Sequence, residues 1–454
     1  MTTHRPAFMP TFTSQKYKRT AVIASAAVLA LGLAACSSGG STTTSGSPSA
    51  QTSVDANAPV TLTWWTGQTA DAQKLLDGLA TEYMAAHPNV TIKSSPGAPT
   101  TDDLKQKVAA GFVAGDYPDI SYAFGSWATE LGMSGHTLDL AQRVADPAVA
   151  WNEIPEAARK TATVENRVIG VPALVDNLGL IYNKSVFDAA GVSYPTNDWT
   201  WDDYRAAAKK MTDPAKGVYG SGFSVSGSED TTWHLWPLLW QNGGSVLSED
   251  GSTATFNSDA GVKALDTLRV MAVDDKSMYL DQTDEKYPAL MYDGKVGMII
   301  GGPWLLYDLK TKKVNYGVSE LPGTNGDHQT VSGPDVWVAF DHNDAARAKA
   351  TEDFLLWLTS PEVDERWNLA YGNLPLRSSE AQSPAFQKWV TEYAPGAQVF
   401  FDNLKNAKTA RPTIEGYTEL SQYVGQAVAK VLQGQATSKE ALDEAASKST
   451  DALS

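Results

Sequence analysis

The only cysteine of this 454-residue chain, Cys36, is placed for covalent attachment of a lipid. It follows the letters LAA, which resemble a bacterial lipobox, at the end of an uncharged run over residues 20–33. That run is shorter than the roughly 20 residues of a membrane-spanning helix, and the basic residues before it complete an export signal. We therefore predict a lipoprotein signal peptide over residues 1–36. Cys36 would carry a diacylglyceryl thioether, with fatty acyl chains such as palmitate anchoring the protein to the outer face of the cell membrane.

A second group of residues that could take part in binding is aromatic. The chain has 14 tryptophans and 17 tyrosines, several of them at the ends of strand-like segments, where a core residue is not expected. A flat ring suits the C–H face of a sugar, and nearby acids and amides can satisfy the sugar hydroxyl groups. Five residues that follow the first or the third predicted strand are therefore candidate ligand contacts: Trp65, Thr66, Gln68, Ser126 and Trp127.

The elements that would position these residues alternate between strands and helices. Runs of β-branched and aromatic residues predict strands, and apolar residues at intervals of three and four predict helices. The predicted strands cover residues 60–65, 90–92, 118–122, 168–172, 178–182, 296–304 and 314–318, and the predicted helices cover 71–86, 102–114, 345–358 and 420–432. Thr200 is a predicted N-cap, because acidic residues follow it. This alternation indicates open α/β sheets, which bind ligands beyond the carboxyl ends of their strands.

Composition narrows the classes of partner. The net charge of −16 argues against binding to nucleic acid or directly to anionic lipid. No segment after residue 36 is apolar enough to span a membrane, and residues 37–58, rich in Ser, Thr and Gly, predict a flexible tether. The six histidines lack metal-ligand spacing, and a lipidated Cys36 leaves no thiol. We therefore expect neither a metal nor any other cofactor.

From about residue 60 onward, the chain resembles the family 1 extracellular solute-binding proteins, which include the maltodextrin-binding proteins. The resemblance rests on the order and spacing of segments such as LTWWTG, VAAGFVAGDYPDI, GLIYNKSVFDAAGV, VGMIIGGPW, FLLWLTSPE and VLQGQATSKEALDEA. It implies an α/β fold with two discontinuous lobes, a type II clamshell that encloses a solute by hinge closure. The implied lobes are residues 59–172 with 335–378, and residues 173–331 with 384–454. The implied crossings lie near residues 171–176, 321–332 and 376–384.

The resemblance also implies residues of the binding site. Trp304, which follows the letters GGP, matches the aromatic platform of the family. Trp233 lies in a stretch that matches the aromatic segment of the cleft. Asp176 and Asn177 lie at the first implied crossing, where the family has a polar ligand contact.

Three further candidates lie in the C-terminal third of the chain. Asp335 and Trp337 are near the second implied crossing, although Pro334 and Asp335 depart from the glycine-rich run that the family often has there. This departure fits either a specific ligand contact or a different turn. Arg411 is a candidate for the cleft, with a surface salt bridge as its alternative role.

The residue types of these segments favour a neutral saccharide as the ligand. They carry acids and amides, whereas an anionic ligand would require arginines or helix N-termini. A polyamine or another small solute is the alternative within the same fold, because cations suit aromatic rings with carboxylates. A secreted glycoside hydrolase with Asp176 and Asp335 as its carboxylates is the alternative of another class. The favoured prediction is a monomeric, non-enzymatic subunit that delivers a mono- or oligosaccharide to the permease of an ABC importer.

Overall fold

The computed structural model describes residues 58–453 except 69, 100, 372, 393 and 410. The predicted signal peptide with Cys36, and residues 37–57 of the predicted tether, lie outside the described residues. Within the described part, none of the helices has the length and apolar character needed to cross a membrane.

The strands of the described residues form two five-stranded sheets and a short hairpin. The strands are β1 (Val60–Trp65), β2 (Val90–Ser95), β3 (Ile120–Ala123), β4 (Thr163–Val164), β5 (Arg167–Val168), β6 (Gly170–Leu174), β7 (Gly179–Asn183), β8 (Tyr219–Ser224), β9 (Met278–Asp281), β10 (Val296–Gly301), β11 (Tyr316–Ser319) and β12 (Asp335–Ala339). The first sheet has the order β2-β1-β3-β12-β6, the second has the order β11-β7-β10-β8-β9, and β4 pairs with β5.

The helices cover the faces of these sheets. They are α1 (Ala70–Ala86), α2 (Thr101–Ala114), α3 (Ala128–Met133), α4 (Ala141–Val144), α5 (Glu156–Thr161), α6 (Lys184–Ala190), α7 (Trp201–Met211), α8 (Glu229–Trp233), α9 (Trp236–Gln241), α10 (Asp259–Arg269), α11 (Lys286–Tyr292), α12 (Leu306–Thr311), α13 (Ala345–Leu358), α14 (Pro361–Tyr371), α15 (Pro384–Glu392), α16 (Ala397–Asn403), α17 (Tyr417–Leu432) and α18 (Ser438–Ala452). The predicted strand at 60–65 and the predicted helix at 345–358 are confirmed with the same bounds.

Local side-chain chemistry sets several of these bounds. The predicted N-cap Thr200 is confirmed: its hydroxyl accepts the N–H of Asp203, and the carboxylate of Asp203 accepts the N–H of Thr200 at 2.9 Å. This reciprocal pair satisfies two backbone donors that α7 would otherwise leave open. The strand predicted from Val296 runs into a glycine turn, as expected: it ends at Gly301, and Pro303 begins a 3₁₀ turn that carries Trp304.

Lobe 1 is built on the first sheet, in which β1 pairs in parallel with β2 and β3. Strand β12, which the sequence pattern did not predict, enters this sheet antiparallel to both β3 and β6. Its Trp337 ring meets Trp64 of β1 edge-on at a centroid distance of 5.3 Å, and Phe354 of α13 lies 5.2 Å from Trp64. These rings form the centre of an apolar core between the sheet and its helices.

Lobe 2 is built on the second sheet, in which β10 pairs in parallel with β8 and antiparallel with β7. Its largest core cluster lies between the sheet and the helices α7, α9, α10, α17 and α18. A smaller cluster around Phe400 of α16 covers the other face. The predicted two-lobed α/β fold is confirmed, since each sheet has its own core.

The chain passes between the two sheets in segments that contact one another. Residues 175–178 connect β6 to β7, and residues 320–334 connect β11 to β12. A single β-bridge joins Asn177 to Ser332, and the Ser332 hydroxyl donates to the carbonyl of Asp176 at 3.0 Å. Another bridge joins Val175 to Leu374, which follows α14. The crossing segments therefore form one small bundle between the lobes.

Candidate ligand-binding site

A cavity of about 590 Å³ lies between the two lobes. On the side of lobe 1, its lining comes from the edge of the sheet where β1, β3 and β6 end; on the side of lobe 2, it comes from segments that follow β8, β9 and β10. Ligands of open α/β sheets bind beyond the carboxyl ends of the strands, as this arrangement allows. The lining residues are Gln68, Pro99, Tyr122, Phe124, Leu174, Asp176, Ser228, Glu229, Asp230, Trp233, Thr283, Asp284, Glu285, Trp304, Gly333, Asp335, Trp367, Tyr371, Asn373 and Arg411.

Two tryptophans of lobe 2 form the aromatic part of this cavity. The rings of Trp233 and Trp304 are stacked, with centroids 5.7 Å apart and planes 27° apart. The Arg411 guanidinium carbon also lies 5.2 Å from the Trp233 centroid, and Trp233 is only 8% exposed. Trp304 is only partly buried. Trp304 therefore has ring surface to offer to a ligand, whereas Trp233 mainly supports it.

Two glycines allow this close packing. A Cβ atom on Gly302 would lie 1.8 Å from the nearest carbon of the Trp304 ring, so any larger residue would displace that ring. A Cβ atom on Gly333 would lie 2.6 Å from Asp176 Oδ1 and 2.7 Å from the Trp233 ring. The glycines thus let the aromatic rings and one carboxylate approach the backbone more closely than any side chain would permit.

Two carboxyl groups lie where the crossing segments meet lobe 1. Asp176 Oδ1 accepts the backbone N–H of Gly333 at 3.1 Å, while Asp335 accepts the hydroxyl of Tyr122 and the N–H of Gly125. Burial, together with the nearby charge of Asp335, raises the pKa of Asp176 well above its usual range. Burial also raises the pKa of Asp335 to about 6, despite the hydrogen bond from Tyr122. We call Asp176 and Asp335 the hinge pair.

Among the described residues, Arg411 is the only base that lines the cavity, and it already has a partner. Its Nη1 donates to Glu229 Oε1 at 2.8 Å, and both side chains are largely buried. Glu229 also accepts hydroxyl hydrogen bonds from Tyr417 and Ser421. The positive charge of Arg411 is therefore matched within lobe 2 before any ligand arrives.

A second pair of carboxyl groups, Asp230 and Asp284, lies on lobe 2 beside the tryptophans. Asp284 accepts hydroxyl hydrogen bonds from Ser224 and Ser228, the latter at 2.8 Å. Burial raises the pKa of Asp230 to about 6; the His234 charge opposes this rise, and the Asp284 charge adds to it. We call Asp230 and Asp284 the rim pair.

Two tryptophans of the cavity lining have buried indole donors without an acceptor. The Nε1–H groups of Trp233 and Trp367 have no hydrogen-bond partner among the described residues. Trp64 in the core of lobe 1 shares this feature, but it does not line the cavity. These N–H groups are buried beneath the surface, so the two tryptophans meet the cavity with other parts of their rings.

The structure brings half of the residues predicted from the sequence to this one cavity: Gln68, Asp176, Trp233, Trp304, Asp335 and Arg411. Ser126 lines a second cavity of about 350 Å³, which also reaches Arg411. The backbone between the lobes separates the two cavities, since Gly333 and Asp335 face the first and Ser332 and Pro334 face the second.

The other candidates after the first predicted strand line neither cavity. The Trp65 ring lies 4.1 Å from the ammonium group of Lys107. Thr66 is fully buried, and its hydroxyl is hydrogen-bonded to Gln73. Both side chains hold the end of β1 in place, and so they support the position of Gln68.

The remaining three candidates also lie outside both cavities. Asn177 is fully buried and donates to the carbonyl of Phe400 at 2.8 Å, which fixes the first crossing segment to α16. Trp127 is 4% exposed and packs on Phe124. Trp337 is 1% exposed in the core of lobe 1, so its neighbour Asp335 faces the cavity while Trp337 does not.

The sequence analysis missed several lining residues, namely Tyr122, Phe124, Glu229, Asp230, Asp284, Trp367, Tyr371 and Asn373. Tyr122 and Phe124 lie at the end of the third predicted strand. Because ligands of open α/β sheets bind beyond the carboxyl ends of strands, this position could have identified them. Asp284 follows β9, for which no strand was predicted, and Trp367 lies within helix α14 rather than at the end of a strand. Among the described residues, no group of three or more histidines and acids is arranged to hold a metal ion.

Curated relatives cover most of the chain at low identity. An uncharacterized lipoprotein in the oleD 5′ region of Streptomyces antibioticus is 27% identical over 402 residues, which are 84% of this chain and 82% of that protein. An sn-glycerol-3-phosphate-binding periplasmic protein of Yersinia pseudotuberculosis is 24% identical over 415 residues, which are 86% of this chain and 92% of that protein.

Solved structures share the fold. The cyclic alpha-maltosyl-1,6-maltose binding protein of Arthrobacter globiformis is 26% identical, with a TM-score of 0.73 over 87% of this chain and 99% of that one. An ABC transporter solute-binding protein of Thermotoga lettingae, bound to alpha-D-tagatose, is 25% identical, with a TM-score of 0.77 over 87% of this chain and 100% of that one. Residues 78–395, more than half of the chain, match the family described as bacterial extracellular solute-binding protein. Together with the two-lobed fold and its central cavity, this match shows that the chain belongs to the bacterial extracellular solute-binding proteins.

Proposed function

We propose that this protein is the capture subunit of a carbohydrate ABC importer and binds a mono- or oligosaccharide between its lobes. The observation that carries the proposal is the partly exposed ring of Trp304, supported by Trp233 and surrounded by carboxyl groups in a cavity between two lobes. A sugar ring can stack on Trp304 while its hydroxyl groups bond to the surrounding acids. Closure of the lobes would then bury the sugar, and no covalent bond is made or broken.

Two relatives support this class of ligand by their names. One binds a cyclic maltosyl-maltose and the other was solved with tagatose, although identities near 25% leave the particular sugar open. The cavity of about 590 Å³ is within the ordinary range for small-molecule sites.

The aromatic wall favours a saccharide over a polyamine. The partly exposed ring of Trp304, backed by Trp233, offers a flat surface to the C–H face of a sugar ring, and a linear polyamine has no such face. Sugar hydroxyl groups can donate to the carboxylates around the same ring.

Charge argues against an anion such as sn-glycerol 3-phosphate, which another relative binds according to its name. An unpaired arginine favours phosphate binding, but Arg411 is already bonded to Glu229, and six acids that would repel a phosphate line the same cavity. An anionic ligand would have to break that ion pair or remain without a partner.

The location of the protein belongs to the same proposal. Cys36 would carry the lipid anchor, and residues 37–58 would let the monomeric binding domain move while staying close to its permease in the cell membrane. The relative from Streptomyces antibioticus is named as a lipoprotein. In this proposal, lobe 1 comprises residues 59–172 with 335–378, lobe 2 comprises residues 173–331 with 384–454, and closure bends the segments between them.

Calorimetric titration of the purified full chain tests the proposed function. The ligands are glucose, galactose, mannose, maltose and cellobiose, with spermidine and sn-glycerol 3-phosphate as alternatives. We expect at least one sugar to bind in the micromolar range, equivalent to about −8 kcal/mol, and glycerol phosphate not to bind. Binding of spermidine alone would overturn the carbohydrate assignment. Steady release of reducing sugar from an oligosaccharide would instead indicate a hydrolase.

A further inference from the structure

The rim pair carries negative charge that no arginine or lysine of the described residues balances through an ion pair. The hydroxyls that donate to Asp284, those of Ser224 and Ser228, are neutral, and no Lys or Arg of the described chain forms an ion pair with Asp284 or Asp230. Asp230 lies near Tyr287, whose hydroxyl reaches its Oδ2 at 3.4 Å, and near His234 on the same helical turn. Apart from His234, these contacts leave the negative charge of the two carboxylates uncompensated.

The rest of the cavity does not supply the missing charge. Six acids line it, namely Asp176, Glu229, Asp230, Asp284, Glu285 and Asp335, against the single base Arg411. That arginine is bonded to Glu229, and its charge acts on the hinge pair, where it opposes the rise in both pKa values. Neither acid of the rim pair therefore forms an ion pair with an arginine or a lysine of the described residues.

The backbone at the rim pair is unusual as well. Asp284 has a φ of +65°, a left-handed conformation that costs free energy in residues other than glycine. Aspartate tolerates this conformation better than most residues, and the conformation lets the carboxylate meet the hydroxyls of Ser224 and Ser228. Such strain is common where a side chain is held for a ligand.

A ligand that matches the cavity must combine two properties. It must present the face of a ring to the partly exposed side of Trp304, which a linear polyamine lacks. It must also bring positive charge to the rim pair, because lobe closure would remove water from two carboxylates that lack a compensating base. An amine-bearing sugar has both properties, whereas neutral and N-acetylated sugars have only the first.

We infer that the saccharide bound by this protein carries a protonated amino group, held between Asp230 and Asp284 while a sugar ring stacks on Trp304. The inference rests on the proposed function, since it specifies the class of sugar bound in the same cavity. It departs from the neutral ligand that the sequence alone favoured, because only the structure shows that Arg411 is paired within the protein. The ammonium group also benefits from the nearby indole rings through cation–π attraction.

Matched sugars that differ only at carbon 2 test the inference in the full-length protein. Three sets are titrated by calorimetry: glucose, glucosamine and N-acetylglucosamine; galactose, galactosamine and N-acetylgalactosamine; and the β-1,4 dimers of glucose, glucosamine and N-acetylglucosamine. We expect the amine in at least one set to bind at least about tenfold more tightly than its neutral and acetylated partners. Adding NaCl should weaken the binding of that amine more than the binding of its neutral partner.

Three variants connect this preference to the rim pair. Asp284→Asn and Asp230→Asn should each reduce the preference for the amine to less than about threefold, because the affinity for the amine falls by more than the affinity for the neutral sugar does. Glu249→Gln removes an exposed acid of lobe 2 outside the cavity and should preserve the full preference. Equal losses for all three sugars in the rim variants would show a structural role for the two acids and would overturn the inference.

The outcomes separate the inference from the proposed function. If neutral sugars bind at least as tightly as their amines in every set, the amine inference is wrong and the carbohydrate function stands. If no sugar of any set binds and spermidine does, both fail. The comparison of ligands on the unmodified protein needs no variant, so it holds even if a rim variant does not fold.

Discussion

Two pairs of tryptophans in this protein lie in different surroundings, one in a core and one beside the cavity. Trp64 and Trp337 meet edge-on in lobe 1, at a centroid distance of 5.3 Å, and both are at most 1% exposed. Trp233 and Trp304 of lobe 2 are stacked 5.7 Å apart beside the cavity, and Trp304 keeps part of its surface exposed. The first pair closes a core, while the second pair forms a wall of the binding site.

The difference shows that the end of a strand does not by itself indicate which way a ring faces. Trp337 and Asp335 are two positions apart on β12, which in a regular strand would place them on the same face. The register shifts between Asp335 and Val336, however, so the two side chains have different surroundings. Asp335 lies at the first position of the strand, at the cavity, and Trp337 lies between the rings of Trp64 and Tyr122. The binding wall instead depends on Gly302, which leaves room for the Trp304 ring.

The largest expected effect is on the core pair. Trp337→Ala should lower the free energy of unfolding by about 3–5 kcal/mol, because it leaves a large cavity among aromatic rings. Urea denaturation measures this loss. Val113→Ala, at a residue that is 92% exposed, is the control and should change stability by less than about 0.5 kcal/mol. A stability of Trp337→Ala close to that of the unmodified protein would contradict the placement of Trp337 in the core.

The next effect should appear in binding rather than in stability. Trp304→Ala should weaken the binding of the best sugar by more than about 1 kcal/mol, because the stacking surface is lost. It should also destabilise the protein less than Trp337→Ala does, since Trp304 is only partly buried. Trp304→Phe, which keeps a ring, should retain more affinity than the alanine variant. An unchanged affinity in Trp304→Ala would remove this residue from the site and weaken the comparison of the two pairs.

A smaller effect is expected from the glycine that makes room for the binding wall. Gly302→Ala should shift the Trp304 ring and reduce sugar affinity by less than Trp304→Ala does, because the ring is displaced rather than removed. Gly78→Ala on helix α1 is a matched control, since a Cβ there would meet nothing within 4 Å. Calorimetric titration of both variants with the same sugar makes the comparison. Equal affinities in the two variants would show that the Trp304 ring tolerates the added methyl group.

The last prediction concerns pH and the hinge pair. Burial raises the pKa of Asp335 from 3.8 to about 6, so the folded protein holds this proton more tightly than the unfolded chain does. The contribution of this group to stability therefore falls as pH rises from about 4 to about 6, and it stays low above that range. Asp335→Asn should remove this fall. Urea midpoints between pH 4 and pH 8 measure it, and parallel curves for the two proteins would contradict the prediction.

The sequence predicted more of the fold than of the binding site. The runs 60–65 and 345–358 are made of residue types that favour a strand and a helix, and both elements were predicted with the bounds they have. Strand β12 was missed, because its buried pairing with β3 and β6 depends on partners far away in the chain. Within the site, motifs identified Trp304 and Trp233, but the rim pair comes from two segments whose proximity depends on the neighbouring strands β8 and β9.

What the sequence determined by itself is the local chemistry and the family pattern. The letters before Cys36, which resemble a lipobox, and the residue patterns of the strands and helices are properties of short segments, and so they can be read without the fold. Only the tertiary structure decided which rings face the cavity and which face a core, because that choice depends on the register between strands that are distant in sequence. It also decided the charge of the site: Arg411 and Glu229 are 182 positions apart, and only their contact leaves the rim pair without an arginine partner.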